Sequence, residues 1–294
     1  MKIAIIGAGS VGTNLHHAFA LKGVRTELVH ARPLTAQHSN DQMADDQMVN
    51  GFDVYIYAVA DQALREVIAK INAPKALHLH TSGSMPIEVF GEDKPHSGIM
   101  YFFQSFSRDV MIDDWSGIPC FISGHNIDDI AAIYSLAQTL TSRIYEATQH
   151  DRERLHVAGV FANNFSNLMY RIAAEILRDT QIPFEALLPL IDRTAEKVHT
   201  LAPKDAQTGP AQRMDREVIM KHLSVLGGMK DGEFFASDLE FIYMNLSQII
   251  QTAQWPEDRR HSIMEILGQA LEGSDAKGHI RPAQARRRGK YPEE

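Results

Sequence analysis

Apolar residues in the first half of the chain cluster in short unbroken runs, and in the second half they recur in steps of three and four. The short runs predict buried strands at 3–6, 25–30, 53–59, 75–80, 98–103, 119–123 and 143–145. Helical periodicity lies between them: after the first strand (Val11, Leu15, Ala18, Phe19), at 62–71 and at 128–140. Residues 36–50 are polar and read as a loose helix or loop. Strands alternating with helices predict a doubly wound, mostly parallel sheet over residues 1–147. From about 150 the strand pattern stops. Leu155, Ala158, Phe161, Phe165, Leu168, Ile172 and Ile176 predict one helix over about 151–180, roughly 40 Å long. Pro183 suits the first turn of a second helix, carrying Leu187, Leu190, Ile191 and Val198. Further helices are predicted at 216–225, 238–253 and 258–271, with a polar loop at 202–211. The expected organisation is an α/β domain at 1–149, an all-helical domain at 150–272 and a disordered, solvated tail at 273–294 bearing Arg286, Arg287 and Arg288.

The first strand runs directly into Gly7-Ala8-Gly9-Ser10-Val11-Gly12, the spacing G-x-G-x-x-G at a strand–helix junction. That context predicts a Rossmann-type dinucleotide site. Gly7 permits the tight turn, Gly9 lets a diphosphate approach the backbone, and Gly12 lets helix and strand pack closely. The helix start adds unpaired N–H groups and the positive end of a dipole. The end of the second strand reads the ribose. It carries His30, Ala31 and Arg32 and lacks the acid that takes a 2′-hydroxyl in NAD proteins, so Arg32 is assigned to a 2′-phosphate and NADP is favoured over NAD. Ala58, Val59, Ala60 and Asp61 close the third strand, and Thr81, Ser82, Gly83 and Ser84 close the fourth. Both turns fall at the carboxyl edge of the sheet, where ligands bind in open α/β folds. The second turn borders the nicotinamide or is a simple connection. Gln104–Ser107 is a further edge loop.

Bulk composition narrows the class. In 294 residues, 44% are hydrophobic and 22% charged, which suits an ordinary globular protein of about two domains. A net charge of −8 argues against a nucleic-acid partner, whose footprint is a basic face. The single cysteine, Cys120, makes no internal disulfide, and no apolar run is long enough for a signal peptide core or a membrane span, so a cytoplasmic protein is expected. The histidines lack metal-ligand spacing and no metal site is predicted.

On the long helix, His156 and Asn163 are seven residues apart and share a face, with Asn164 and Asn167 beside them. A polar stripe of this kind needs partners or a ligand. His156 is either a general acid or a histidine hydrogen-bonded within the fold. Gln207 and Thr208, in a polar loop near Arg213, are placed at the same cleft.

The pieces Gly7–Gly12, His80–Ser84, Gln104–Ser107, His156–Phe165, Pro183–Ile191 and Ala206–Ala211 with Arg213 and Asp215 together resemble the Rossmann-like proteins whose C-terminal half is the helical domain of unknown function 2520. The resemblance covers roughly residues 1–270. That family is similar to pyrroline-5-carboxylate reductases, coenzyme F420-dependent NADP reductases and 6-phosphogluconate dehydrogenase-like enzymes. The likeness implies a helical 6-phosphogluconate dehydrogenase C-terminal-like domain that makes a homodimer and closes the active-site cleft. The lysine that β-hydroxyacid dehydrogenases carry on the long helix has no counterpart here. The resulting expectation is an NADP(H)-dependent oxidoreductase for a small carbonyl, imine or hydroxy compound. In it His156 is the general acid, and Asn164, Gln207 and Thr208 orient the substrate. The alternative is an NADP(H)-binding sensor or scaffold without catalysis.

Overall fold

The structure is a computed structural model that describes residues 1–31, 51–230 and 232–254. Arg32, the polar stretch 36–50, the helix expected at 258–271 and the arginine tail lie outside the described residues. The chain divides into two compact units, Met1–Phe165 and the residues from Ser166 onward.

The first unit is built on β1 (Ile3–Ile6), β2 (Thr26–Val29), β3 (Val54–Tyr57), β4 (Leu77–His80), β5 (Ser97–Phe102), β6 (Cys120–Gly124) and β7 (Ile144–Glu146). They form a seven-stranded sheet in the order β2-β1-β3-β4-β5-β6-β7. Every neighbouring pair is parallel except β5 and β6. This is the mostly parallel sheet that the apolar runs predict. Both faces are covered, which is why those runs are unbroken rather than alternating. On one face Ile3, Ile5, Val54, Ile56 and Leu79 pack with Leu15, Phe19 and Ile133 from α1 (Ser10–Leu21) and α3 (Ile127–Gln138). On the other, Ala4, Ile6, Tyr55 and Tyr57 pack with Leu64, Val67 and Ile68 of α2 (Asp61–Lys70). Cys120 is buried in the first face, and burial pushes its thiol up from its ordinary range.

The expected single long helix is in fact three pieces: α4 (Gln149–Gly159), a π-helical turn at Val160–Phe165, and α5 (Ser166–Leu177). A π turn bonds one residue further along than an α turn and widens the helix locally. The steps of three and four persist through it, so periodicity alone does not reveal it.

In the second unit the expected helix after Pro183 begins as a 3-10 turn, Phe184–Leu187, before α6 (Leu188–Lys197). The predicted polar loop contains two single helical turns, Pro203–Ala206 and Pro210–Arg213. Then come α7 (Arg216–Gly227) and α8 (Ala236–Gln254). The Asp215 carboxylate caps α7 by accepting from the Val218 amide at 3.3 Å. Ile172, Leu226 and Leu239 form the core of this unit. Among the described residues no helix is long and apolar enough to cross a membrane, and no group of three or more His, Cys, Asp or Glu side chains could hold a metal ion.

Candidate functional site

The strand registers put four chain exits side by side. Ile6 pairs with Val29 and with Tyr57, and Tyr57 pairs with His80. Gly7, His30, Ala58 and Thr81 therefore leave the sheet along one edge. The exits are tied together: Gly7 donates to Val29 O at 2.8 Å, Ala58 to Ile6 O at 2.8 Å, and Thr81 to Tyr57 O at 3.2 Å. The strand order reverses direction at β1 and β3, and such a switch point opens a crevice at the carboxyl edge.

The three motif glycines answer to different neighbours. Gly7 has φ +112°, and a Cβ there would lie 2.4 Å from the Ala58 carbonyl oxygen. A Cβ on Gly12 would lie 1.9 Å from the Gly7 carbonyl oxygen. Both positions exclude side chains for reasons internal to the fold. Gly9 is different. Its φ is −81°, open to any residue, and none of the described residues lies within 4 Å of where its Cβ would be. The space beside Gly9 is a cradle that a Cβ would fill. Gly9 caps α1, whose start has no side-chain cap and no acid in its first turn. The amides there are donors left for a guest, and an anion is the guest they suit. Ala8, Ser10 and Val11 complete this turn and are half-buried.

The second turn of the edge is internally bonded. The Ser82 Oγ accepts from the amides of Ser84 (3.2 Å) and Met85 (3.1 Å), the Ser82 amide donates to His80 Nδ1 at 3.2 Å, and the Ser84 hydroxyl donates to Asp61 Oδ2 at 2.6 Å. These bonds join residues 58–61 to residues 81–84 as one wall. Gly83 in that wall makes room for Tyr101: a Cβ would lie 2.7 Å from the Tyr101 ring.

Because His80 pairs with Ile99, β5 continues past the common edge through Met100, Tyr101 and Phe102. Tyr101 and Gln104 thus stand above the other exits. Helix α4 meets them. Its start is fixed by a reciprocal cap between Thr148 and Asp151. One residue on, the buried Arg152 donates from Nη1 to Ser123 Oγ at 2.9 Å and to Ala147 O at 3.1 Å, pinning the helix to the sheet. One turn later on the same face is His156, whose Nδ1 is 3.1 Å from the Tyr101 hydroxyl. Burial pushes the Tyr101 phenol up to about 12, so it is a neutral hydrogen-bond donor at neutral pH. When it donates to Nδ1, the imidazole carries its proton on Nε2.

The π turn supplies the remaining wall. Tyr101, Gln104, Ser105, His156, Asn163 and Asn164 line a cavity of about 210 Å³, with Phe103 and Gly159 closing its side. His156, Asn163 and Asn164 all line this cavity, the two asparagines from the π turn rather than from an α helix. Gln207 and Thr208 belong to the second unit, where the Gln207 amide donates to the Thr208 carbonyl at 3.0 Å. Two side chains that no motif singles out stand at this edge, Tyr101 and Arg108. Tyr101 belongs to an apolar strand whose sequence does not distinguish a core ring from a site ring, and Arg108 acquires its neighbours only through folding.

A family model described as a domain of unknown function, DUF2520, matches residues 118–250. No curated protein matches the sequence. Among solved structures, a proposed NADP oxidoreductase from Bacteroides fragilis is 36% identical with a TM-score of 0.72, over 85% of this chain and 98% of its own. A protein from Thermotoga maritima is 17% identical with a TM-score of 0.61, over 85% of this chain and 97% of its own. Pyrroline carboxylate reductase from Plasmodium falciparum, solved with NADP bound, is 15% identical with a TM-score of 0.51, over 95% of this chain and 98% of its own. The last two share the fold: a Rossmann-type sheet followed by a helical half. The match to the Bacteroides fragilis protein runs almost from end to end of it, and on that ground the chain belongs to the family of Rossmann-like proteins whose helical half is DUF2520.

Proposed function

We propose that this protein is an NADP(H)-dependent oxidoreductase acting on a small carbonyl, imine or hydroxy compound. The observation that carries the reading is the open space beside Gly9, in a turn where the other two glycines are closed in by backbone. A diphosphate fits the donors and the room present. Ala8, Gly9, Ser10, Val11 and Gly12 hold it, His30 lies toward the ribose, Arg32 is assigned to the 2′-phosphate from its place in the sequence after the second strand, and Ala58, Val59, Ala60, Thr81 and Ser82 border the nicotinamide. Arg32 favours NADP, and two relatives point the same way, the proposed NADP oxidoreductase from Bacteroides fragilis and the Plasmodium falciparum reductase solved with NADP bound. When bound, the cofactor supplies or accepts a hydride.

The chain's part in reduction is the proton. His156, as the imidazolium, donates from Nε2 to the oxygen or nitrogen that gains the electron pair and is left as neutral imidazole. The Tyr101 hydroxyl holds the ring at Nδ1, accepting its N–H before the transfer and donating to the bare nitrogen after it. Asn164, on the wall of the same cavity, orients the substrate. We further propose that the chain pairs as a homodimer through its helical unit, where Val225, Phe241, Leu246 and Ile249 are exposed.

The test is NADPH oxidation with a panel of small carbonyls and imines. Well-placed acid catalysis contributes about 10²–10⁴ in rate, so His156→Ala is expected to lower kcat by about that factor and to leave NADPH affinity unchanged. A loss of roughly tenfold or less removes His156 from the chemistry. NADPH binding with no oxidation across the panel supports a sensor instead.

A further inference from the structure

The segment after β5 doubles back over the helix that begins at the glycine turn, and Asn14 fastens it there. Asn14 is 0% exposed in α1. Its amide donates to Ser107 O at 2.7 Å and to Ser10 O of its own helix at 2.9 Å, while its Oδ1 accepts from the Ile112 amide at 3.1 Å. Further along, Asp113 Oδ1 is 2.7 Å from His17 Nε2, again on α1. Trp115 is buried, donates to Ile112 O at 2.8 Å and stacks on Phe106. A segment held at so many points has little freedom, and Arg108 projects from its middle.

The Arg108 Nη2 donates to the Ala8 carbonyl at 2.9 Å, a contact across 100 residues of chain. Ala8 is the residue between Gly7 and Gly9. A guanidinium has five N–H donors in a fixed fork, and this contact engages one of them. Arg108 forms no ion pair among the described residues. A permanent cation is therefore held against the glycine turn of a chain whose net charge is −8, beside a helix start with no acid in its first turn. No carboxylate among the described residues neutralises it, and an anion in the Gly9 cradle is its natural counter-charge.

We infer that Arg108 is a binding residue for the diphosphate of the dinucleotide, acting beside the glycine turn whose Ala8 carbonyl it already holds. This rests on the dinucleotide reading above. It assigns to the segment after β5 a double duty: Gln104 and Ser105 line the substrate cavity, and Arg108, four and three residues on, holds the cofactor. The diphosphate is common to NADP and NAD, so Arg108 contributes to affinity without choosing between them. A guanidinium is preferred to an ammonium because its fork can serve the carbonyl and a phosphate oxygen together.

The experiment is fluorescence titration of NADPH and NADH into wild type, Arg108→Gln and Arg108→Lys, at low and high salt. Arg108→Gln is expected to weaken both nucleotides by the same factor, roughly tenfold, which corresponds to about 1.4 kcal/mol. Arg108→Lys recovers part of the loss. The deficit shrinks as salt rises, a dependence that a purely structural role would not produce. Arg108 is exposed, so the melting temperature of Arg108→Gln stays at the wild-type value. Unchanged binding in Arg108→Gln overturns the inference while the dinucleotide reading stands. A loss confined to NADPH also overturns it, by making Arg108 a 2′-phosphate reader. Wild type that binds neither nucleotide overturns both.

Discussion

Gly9 and Gly12 are three residues apart, and a side chain would meet open space at the first and backbone at the second. A methyl group on Gly12 would collide with the Gly7 carbonyl oxygen at 1.9 Å, and backbone cannot move aside as a flexible side chain can. Gly12→Ala is therefore expected to lower stability by about 1–3 kcal/mol, read from the urea midpoint. Gly9→Ala meets nothing in the protein and is expected to leave that midpoint unchanged. A Gly12→Ala protein as stable as wild type would mean that helix and strand pack less tightly than described. At this scale the sequence announces residues whose spacing is itself the signal. The glycines are of that kind, and so are His156 and Asn163, seven residues apart in a stretch of helical periodicity. Tyr101 and Arg108 carry no such spacing. Tyr101 meets His156 across 55 residues and Arg108 meets Ala8 across 100, and only the folded chain makes those contacts.

Strand β4 shows what an element can add that single residues do not. Its alternation sends Leu77 and Leu79 to one face of the sheet and His78 and His80 to the other, among Tyr55, Tyr57 and Phe90. His78 Nδ1 is 2.9 Å from the Tyr57 hydroxyl and its Nε2 donates to Ala73 O at 2.8 Å, whereas His80 Nε2 is buried with no hydrogen-bond partner among the described residues. Burial lowers both imidazoles from 6.5 to about 4. Between those values the unfolded chain binds protons that the folded chain refuses. The stabilisation is complete above pH 6.5 and is lost as pH falls toward 4, by about 1.4 kcal/mol per pH unit for each histidine. The urea midpoint is expected to fall between pH 6.5 and pH 4.5, and His80→Phe to flatten the slope; a midpoint independent of pH in wild type would contradict the burial of this pair. The strand itself is legible from its flanking apolar residues. The histidines' burial is not, because an L-H-L-H alternation reads equally well as a half-exposed strand. The π turn at Val160–Phe165 is hidden for a related reason: one extra residue per turn leaves the apolar spacing of Phe161, Phe165 and Leu168 looking α-helical.

On the scale of the whole chain, the change from short apolar runs to helical steps marks two kinds of architecture, and both are present. This was legible because covered sheets and helix bundles impose different periods on long stretches. What the second unit does with its apolar surface was not, since exposure is a property of packing. Val225 is 61%, Phe241 64% and Ile249 61% exposed. Exposed apolar surface is what protein interfaces cover, and this is the ground of the proposed homodimer. The proposed homodimer predicts a solution mass by light scattering of about twice the 32.9 kDa chain, and Phe241→Glu is expected to shift it toward the monomer. A monomer at all concentrations would remove the dimer from the account.

The central claim is that the cradle beside Gly9 exists to receive a dinucleotide, and NADPH titration of wild type alongside Gly9→Ala tests it most directly. The account predicts saturable binding to wild type and a loss of at least roughly tenfold in Gly9→Ala, with the two proteins equally stable. Equal affinity in the two proteins, or no binding to wild type, would contradict it.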